Sequence, residues 1–244
     1  MSRYFLNNYF GSGDSAVFRV SVGFYYIVNM KLYNSEKAII SLTSWKARID
    51  TVGLTIFSLV KQCPGFHIVL TLSEDEFPAK EAELPDTIMA FVDNDMIEIL
   101  WVKRNFKAYK KFLFTAQKYK GIPIISADDD CLYTCNYAET LYKKWLETKI
   151  PVIRYTERNE KITQGPCTLY CLSPTLVQKF LNTLTDREIE KSRDDIVFSF
   201  FLERYGVDME CAVGKNKFPF VFHDDVQPLT KGQRGMRCYA QCFG

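Results

Sequence analysis

A short apolar run that ends in three consecutive aspartates is the feature that most constrains the fold. Ile122–Ala127 has the length and composition of a buried strand, and Asp128, Asp129 and Asp130 follow where that strand should emerge. Crowded carboxylates repel one another unless a cation lies between them, and their oxygens suit Mg²⁺ or Mn²⁺, which in turn binds phosphate oxygens. Because ligands of open α/β sheets bind at the carboxyl ends of strands, the run predicts a metal–diphosphate site. A solvated acidic loop is the alternative interpretation.

The first 150 residues alternate β-rich runs with segments of helical periodicity. Besides Ile122–Ala127, the predicted strands are Ala38–Thr43, Phe66–Leu72 and Ile97–Val102, and the predicted helices are Val52–Lys61, Ala108–Lys118 and Asn136–Thr148. This β-α-β-α order predicts an α/β domain with a mixed, mostly parallel sheet that is flanked by helices on both faces.

The pattern changes after Pro151, where strands become shorter and helices less regularly placed. The predicted strands are Val152–Tyr155, Thr168–Leu172 and Phe218–Phe222, and the predicted helices are Pro174–Leu184, capped by Ser173, and Asp194–Tyr205, which stops at Gly206. We therefore expect a change of role within one domain, from nucleotide binding in the front half to acceptor binding in the back half.

The expected organisation is a single domain with additions at both ends. The domain is assigned to residues 36–230. Residues 36–150 are the nucleotide-binding half, called the donor half below, and residues 151–230 are the acceptor-binding half, called the acceptor half. Residues 1–35 are an N-terminal extension in which Ala16–Val28 forms either an extra strand or a segment resting on a membrane surface. Residues 231–244 are expected to be a mobile tail.

Composition argues against several classes of protein. The net charge of +2 is too small to favour a nucleic-acid partner. The sequence contains no run of about 18 apolar residues, which is the length that would predict a membrane span. The N-terminus lacks the apolar core of a signal peptide. Six of the eight cysteines form i, i+4 pairs, namely Cys131/Cys135, Cys167/Cys171 and Cys238/Cys242. Because zinc sites usually have a shorter spacing, we interpret most cysteines as small buried residues in a reducing compartment, with zinc as the alternative. A cytoplasmic location follows.

A second acidic pair and one histidine are further candidates for chemistry. Asp194 and Asp195 open a predicted helix, where they serve either as an N-cap or as a general base that faces the metal site. His223 ends the last predicted strand and is a candidate metal ligand. His67, at the start of an apolar strand, is interpreted as structural.

Basic and aromatic residues near the same edge of the sheet are candidates for binding the diphosphate and the nucleobase of a nucleotide. Arg48 follows the first strand, and Lys110 and Lys111 open the helix that leads into the aspartate strand. For one of these two lysines we expect a solvated helix face instead. The segment Thr43–Trp45 offers hydroxyls and an aromatic face for a nucleobase, although Trp45 could equally cap the core. The sequence contains no phosphate-loop, dinucleotide-binding or nucleophile-elbow motif.

In order along the chain, these residues resemble a known family. Over about residues 38–206, the chain is similar to bacterial GT-A glycosyltransferases of capsule, exopolysaccharide and lipopolysaccharide pathways. The segments that carry this similarity are ISLTSWKARI, LTLSEDEFP, the YKK helix, IISADDDCLY, GPCTLY and DDIVFSFFLERYG. The aspartate triplet is similar to the DxD motif of that family. The resemblance implies a Rossmann-like GT-A domain with hexosyltransferase-like activity on a nucleotide diphosphate sugar, with a UDP-sugar as the expected donor.

The resemblance also implies roles for individual residues. Asp128 and Asp130, with His223 as a late ligand, would hold Mn²⁺ or Mg²⁺, and Asp128 and Asp129 would lie against the donor. Residues 43–48 and one of the two lysines would line the base and the phosphates. Asp195, or its neighbour Asp194, would be the base of an inverting transfer. The acceptor would be a glycan or a lipid-linked oligosaccharide, which implies peripheral contact with the cytoplasmic face of the inner membrane.

Two other functions remain open from the sequence. A catalytically silent module would bind nucleotide sugars or glycans without transfer. A phosphatase-type hydrolase would use Asp128-x-Asp130 as a nucleophile motif, although that motif normally follows the first strand and continues to Thr or Val, where this chain has Leu132.

Overall fold

The computed structural model describes residues 37–62, 64–156, 167–191, 194–214 and 217–223. The predicted N-terminal extension with Ala16–Val28, the mobile tail from residue 231 and the cysteine pair Cys238/Cys242 lie outside these residues. The proposed division into a donor half and an acceptor half stays a prediction.

The described residues form strands and helices in alternation, with two short 3-10 turns at Lys80–Glu83 and Lys107–Tyr109. The strands are β1 (Ala38–Thr43), β2 (Phe66–Ser73), β3 (Glu98–Val102), β4 (Ile124–Ser126), β5 (Cys131–Tyr133), β6 (Val152–Thr156), β7 (Thr168–Tyr170), β8 (Met209–Val213) and β9 (Phe220–Phe222). The helices are α1 (Val52–Val60), α2 (Asp86–Asp93), α3 (Lys110–Lys118), α4 (Tyr137–Thr148), α5 (Pro174–Thr183), α6 (Asp186–Lys191) and α7 (Asp194–Arg204).

Seven of these strands form one sheet in the order β3-β2-β1-β4-β7-β6-β8. Strands β3, β2, β1 and β4 run parallel, β7 is antiparallel to both β4 and β6, and β8 is parallel to β6. A second sheet pairs β5 with β9 in antiparallel register, from Cys131 opposite Phe222 to Tyr133 opposite Phe220. The mixed, mostly parallel α/β sheet predicted from the sequence is confirmed.

The two faces of the large sheet are covered by different helices. Successive strand residues point to opposite faces, so Ile40 packs in a core cluster with α1, α2 and α4, whereas Ile39 packs in a cluster with α3, α5 and α7. The second cluster is rich in aromatic rings, and Phe112 lies 4.8 Å, centroid to centroid, from both Tyr170 and Phe198. This packing holds the first turn of α7 beside the end of β4.

The predicted element positions are confirmed with small shifts at their ends. The predicted strand Ile122–Ala127 is shorter, Ile124–Ser126, and the N-cap of α5 is confirmed because Ser173 Oγ accepts a hydrogen bond from the Leu176 N–H. Strands β5 and β8 and helices α2 and α6 were not predicted. Within the described ranges, no helix is long and apolar enough to cross a lipid bilayer.

Candidate functional site

The aspartate triplet lies where β4 leaves the sheet, at the carboxyl edge of the parallel strands. The Ala127 N–H still donates to the carbonyl of Ser41 on β1 at 2.9 Å, and the chain then turns through Asp129 and Asp130 before β5 begins. The β1–α1 loop, residues 44–51, lies directly against this turn, since the side chains of Ser44 and Arg48 both contact the triplet.

The middle aspartate is an internal anchor of the turn. Asp129 is only 5% exposed, its Oδ2 accepts a hydrogen bond from Ser44 Oγ at 2.7 Å, and its Oδ1 lies 2.7 Å from Nη1 of Arg48. Burial raises the pKa of Asp129, while Arg48 and Ser44 oppose that rise. The structure thus directs Arg48 and Ser44, both predicted to bind the donor, toward Asp129, and their predicted role at the donor stays untested.

Thr55 on α1 belongs to the site and was missed in the sequence. Its hydroxyl lies 2.9 Å from the carbonyl oxygen of Asp129 and 2.8 Å from Nε2 of His223, and the His223 N–H donates to the carbonyl oxygen of Asp130 at 3.0 Å. The only signal for Thr55 is that it is a polar residue, like Ser58, on the buried side of a mostly apolar helix. The structure brings the predicted His223 to the turn through these contacts.

The first aspartate connects the triplet to the second acidic pair. Nζ of Lys111, on α3, lies 2.8 Å from Oδ1 of Asp128 and 3.0 Å from Oδ2 of Asp194 at the start of α7. Burial would lower the pKa of Lys111, but the charges of Asp128 and Asp194 raise it well above its usual value. Lys111 is therefore the counterion that holds two acidic segments, 66 residues apart in sequence, at one place.

Besides Asp129, two further acids of the site have raised pKa values. Burial and the neighbouring charge of Asp128 raise the pKa of Asp130 to about 6, although Arg48 Nη1 lies 3.2 Å from its Oδ2. Burial and the charge of Asp194 raise the pKa of Asp195. Acids whose ionised form is disfavoured in this way are frequent at functional sites.

A small cavity opens beside Lys111, between α3, the sheet and α7. Its polar lining consists of Tyr109, Lys111, Ser126, Tyr170, Asp194 and Asp195. Both members of the second acidic pair therefore face a space next to the triplet.

Neither lysine at the start of α3 is solvated, so the expected solvated helix face for one of them is wrong. Lys110 is 1% exposed, and its Nζ lies 2.8 Å from Glu76 Oε2 and 3.3 Å from Ser73 Oγ. Burial lowers the pKa of Lys110, against the opposing charge of Glu76. The side chain of Lys111 is 14% exposed. Long side chains can bury their methylene stems in this way when an acid receives the ammonium.

The other predicted residues of the β1–α1 loop are positioned as follows. Thr43 Oγ1 donates to the carbonyl oxygen of Thr71 at 2.7 Å, so its hydroxyl is used within the sheet. Trp45 is partly exposed, and its buried Nε1 has no hydrogen-bond partner among the described residues. Their role at a nucleobase stays a prediction.

The chemistry of the acids fits a hard divalent cation. Asp128 and Asp130 remain partly exposed, and carboxylate oxygens are suitable ligands for Mg²⁺ or Mn²⁺. In the part of the chain that the structure describes, no three acidic, cysteine or histidine side chains form a metal-binding group. A cation here would take its other ligands from water and phosphate, as Mg²⁺ commonly does.

Among the remaining candidates, Cys131 contacts the site, since its Sγ lies 3.5 Å from Oδ1 of Asp130. Cys131 and Cys167 are buried, Cys171 is partly buried and Cys135 is exposed, and none of these four forms a disulfide. His67 contacts Glu98 near the opposite edge of the sheet, with its Nε2 3.2 Å from Oε2.

Comparisons with known proteins give the fold and little at the level of sequence. No family model matches the chain, and a search of curated proteins finds no significant match. Residues 1–349 of S. aureus TarS in complex with UDP-GlcNAc match with a TM-score of 0.54 at 10% identity, covering 81% of this chain and 62% of that chain. The mannosyltransferase PcManGT from Pyrobaculum calidifontis in complex with GDP-Man and Mn²⁺ matches with a TM-score of 0.51 at 12% identity, covering 86% and 65%.

The chain has the GT-A glycosyltransferase fold. This confirms the fold that the segment resemblance implied. The chain spans less than two thirds of the length of the matching structures.

Proposed function

We propose that this protein transfers a sugar from a nucleotide diphosphate sugar to a hydroxyl of a glycan or lipid-linked acceptor. The observation that carries the proposal is the Lys111 bridge, because it brings the aspartate triplet and the acidic pair of α7 together at the carboxyl edge of the sheet. Ligands of α/β folds bind at this edge. A site that contains both a place for a diphosphate and a nearby carboxylate base has the two parts that glycosyl transfer needs.

The nature of the donor is supported by the chemistry of the triplet and by the neighbours. One of the matching structures is a complex with UDP-GlcNAc, and the other is a complex with GDP-Man and Mn²⁺. In this chain Asp128 and Asp130 would hold a divalent cation, which when bound neutralises the charge of the leaving diphosphate. A UDP-sugar is our first candidate donor.

Asp195 is the better candidate for the base of the acidic pair. Asp194 is engaged by Lys111, whereas Asp195 forms no ion pair within the described ranges and its pKa is raised by burial and by Asp194. A carboxylate with a raised pKa takes a proton from an acceptor hydroxyl more readily. If Asp195 acts in a single in-line displacement, the anomeric configuration is inverted.

The biological setting is proposed from the resemblance of the sequence segments. They are similar to enzymes of bacterial capsule, exopolysaccharide and lipopolysaccharide synthesis, which supports surface polysaccharide synthesis at the cytoplasmic face of the inner membrane.

A thermal-shift screen tests the donor. UDP-, GDP-, CMP- and dTDP-sugars are added with and without Mn²⁺, and a ligand at 100 times its Kd should stabilise the folded protein by about 2.7 kcal/mol. We expect one nucleotide class to stabilise the protein only when Mn²⁺ is present. The absence of stabilisation by all four classes would contradict the proposal.

Replacement of the base separates transfer from simple binding. Because positioned base catalysis contributes about 10²–10⁴-fold, Asp195→Asn should reduce turnover by that factor and leave donor affinity nearly unchanged. Asp86→Asn, an exposed acid that opens α2, is the matched control and should retain full turnover. A wild-type protein that binds the donor but never transfers or hydrolyses it would be a silent binding module instead.

A further inference from the structure

Arg154 is a partly buried cation for which the described residues supply no partner. It lies on β6, its Nε is buried without a hydrogen-bond partner, and its guanidinium forms no ion pair within the described ranges. Withdrawing part of a charged group from water costs free energy unless an opposite charge or a hydrogen bond compensates. The two terminal nitrogens are not buried and can donate to a ligand.

The strand pattern places Arg154 on the face of the sheet that carries the acidic pair. Val152 packs in the aromatic-rich cluster with α3, α5 and α7, whereas Ile153 packs in the cluster on the other face. Because strand residues alternate between the faces, Arg154 points to the side of α7. In the sheet it is opposite Thr168 of β7, which in turn is opposite Ser126 of β4.

This row of residues connects Arg154 with the cavity. Ser126 lines the cavity together with Asp194 and Asp195. Since neighbouring strands lie about 4.8 Å apart, the backbone of Arg154 is about 10 Å from that of Ser126. In the strand order β1-β4-β7-β6, Arg154 lies on the side of the cavity away from β1 and its loop. It therefore borders the acidic pair on the side opposite to the proposed donor.

The charges near the cavity indicate which ligand Arg154 suits. Lys111 and Arg48 already form ion pairs with aspartates. A neutral ligand needs no further cation here, whereas an anionic one would be repelled by the acidic pair unless a cation offset that repulsion. A guanidinium also forms two parallel hydrogen bonds with a carboxylate or a phosphate, which an ammonium does not.

We propose that Arg154 determines acceptor specificity by binding an oxyanion of the acceptor, while Asp195 receives the acceptor hydroxyl. The oxyanion is either the carboxylate of an acidic sugar or a phosphate of a lipid-linked acceptor, because the same guanidinium fork fits both. The anion contact is inferred from the position and chemistry of Arg154. Its assignment to the acceptor rests on the proposed function.

Urea unfolding tests whether Arg154 is free of a structural partner. Arg154→Met keeps an apolar stem and removes the charge, so its free energy of unfolding should equal or exceed that of the wild type. The matched control is Arg104→Met, which changes the net charge equally at an exposed arginine paired with Asp186. A clearly less stable Arg154→Met would overturn the proposal, because the guanidinium would then be bound within the fold.

NMR titration with small anions tests the ligand without donor, metal or transfer. The probes are methyl glucuronide, glucose 6-phosphate and the neutral methyl glucoside. We expect one anionic probe to bind and the neutral probe to bind at least tenfold more weakly, and the probe that binds distinguishes carboxylate from phosphate. Arg154→Met should weaken this binding roughly 10–100-fold, the value of a hydrogen bond to a charged group, and Arg104→Met should leave it unchanged. Binding of neither anion, or unchanged affinity in Arg154→Met, would overturn the proposal.

Kinetics with an acceptor of the anionic class that binds test the assignment to the acceptor. Arg154→Met should raise the KM for this acceptor by the same factor as the Kd and leave kcat nearly unchanged. A lower kcat with an unchanged KM would overturn the specificity role. Failure of the anion titration leaves glycosyl transfer untouched, because the donor screen and the Asp195→Asn assay test transfer separately.

Discussion

Two polar clusters at opposite edges of the same sheet differ in how their charges are balanced. The carboxyl-edge cluster comprises Arg48, Lys111, Asp128, Asp129, Asp130, Asp194 and Asp195, and the amino-edge cluster comprises His67, Glu98, Lys118 and Tyr119. The carboxyl-edge cluster contains five acids and two bases. The amino-edge cluster contains one acid with three donors around it.

The opposite pKa shifts show what each arrangement does for the folded state. Burial would raise the pKa of Glu98, but hydrogen bonds from Lys118, Tyr119 and His67, at 2.6, 2.5 and 3.2 Å, lower it overall. At the carboxyl edge the pKa values of Asp130 and Asp195 are raised. The amino-edge charges therefore stabilise the fold, whereas several carboxyl-edge charges destabilise it. A fold that keeps an unfavourable set of charges at its ligand-binding edge is typical of a functional site.

The largest expected difference between the clusters is in donor binding. Asp130→Asn removes a charged oxygen from the proposed cation site, so stabilisation by donor with Mn²⁺ should fall from about 2.7 kcal/mol at 100 times the Kd to the value without Mn²⁺. Glu98→Gln at the amino edge should leave this stabilisation unchanged. Calorimetry of both variants provides the comparison, and unchanged donor affinity in Asp130→Asn with Mn²⁺ would remove Asp130 from the site.

A smaller difference is expected in the free energy of unfolding when each cluster loses a lysine. Lys111→Met leaves two partly buried aspartates without their counterion, and breaking a buried ion pair costs about 3 kcal/mol. Lys118 is 45% exposed, and Lys118→Met should cost less than about 1 kcal/mol because exposed ion pairs contribute little. Urea unfolding at neutral pH measures both. Equal losses would mean that Lys111 does not hold the acidic segments together.

The sequence was sufficient for the alternating elements and for picking out the two acidic segments that the fold brings together in the candidate site. Long periodic segments such as Val52–Val60 bury one face in any α/β layer, so their pattern is visible locally. Three-residue strands carry little pattern of their own, so β5 was missed and β9 was predicted two residues too early, at Phe218; the two strands form because distant segments pair. The same holds for the contact between Arg48 and Asp129, which are 81 residues apart. Thr55 was missed because the role of its hydroxyl depends on two groups that only the fold brings to it.

The smallest expected difference is in how stability depends on pH. The folded-state pKa of Asp195 lies above its ordinary value of 3.8, so its contribution to stability is present below that value and is lost as pH rises through the raised pKa. The folded-state pKa of Glu98 lies below its ordinary value of 4.5. Its contribution is therefore present above 4.5 and is lost as pH falls through the lowered pKa.

Two neutral variants should therefore change the melting temperature in opposite directions at pH 7. Asp195→Asn should raise the Tm because it removes a buried charge, and Glu98→Gln should lower it because it removes a charge that three donors stabilise. Both differences should shrink in acid, since Asp195 is protonated first in the folded protein and Glu98 is protonated first in the unfolded chain. Calorimetric scans from pH 7 to pH 4 measure them, with the double variant as the control, since sites at opposite edges of a sheet should be additive. A lower Tm in Asp195→Asn at pH 7 would show that the acidic pair stabilises the fold, and the contrast between the two edges would then be wrong.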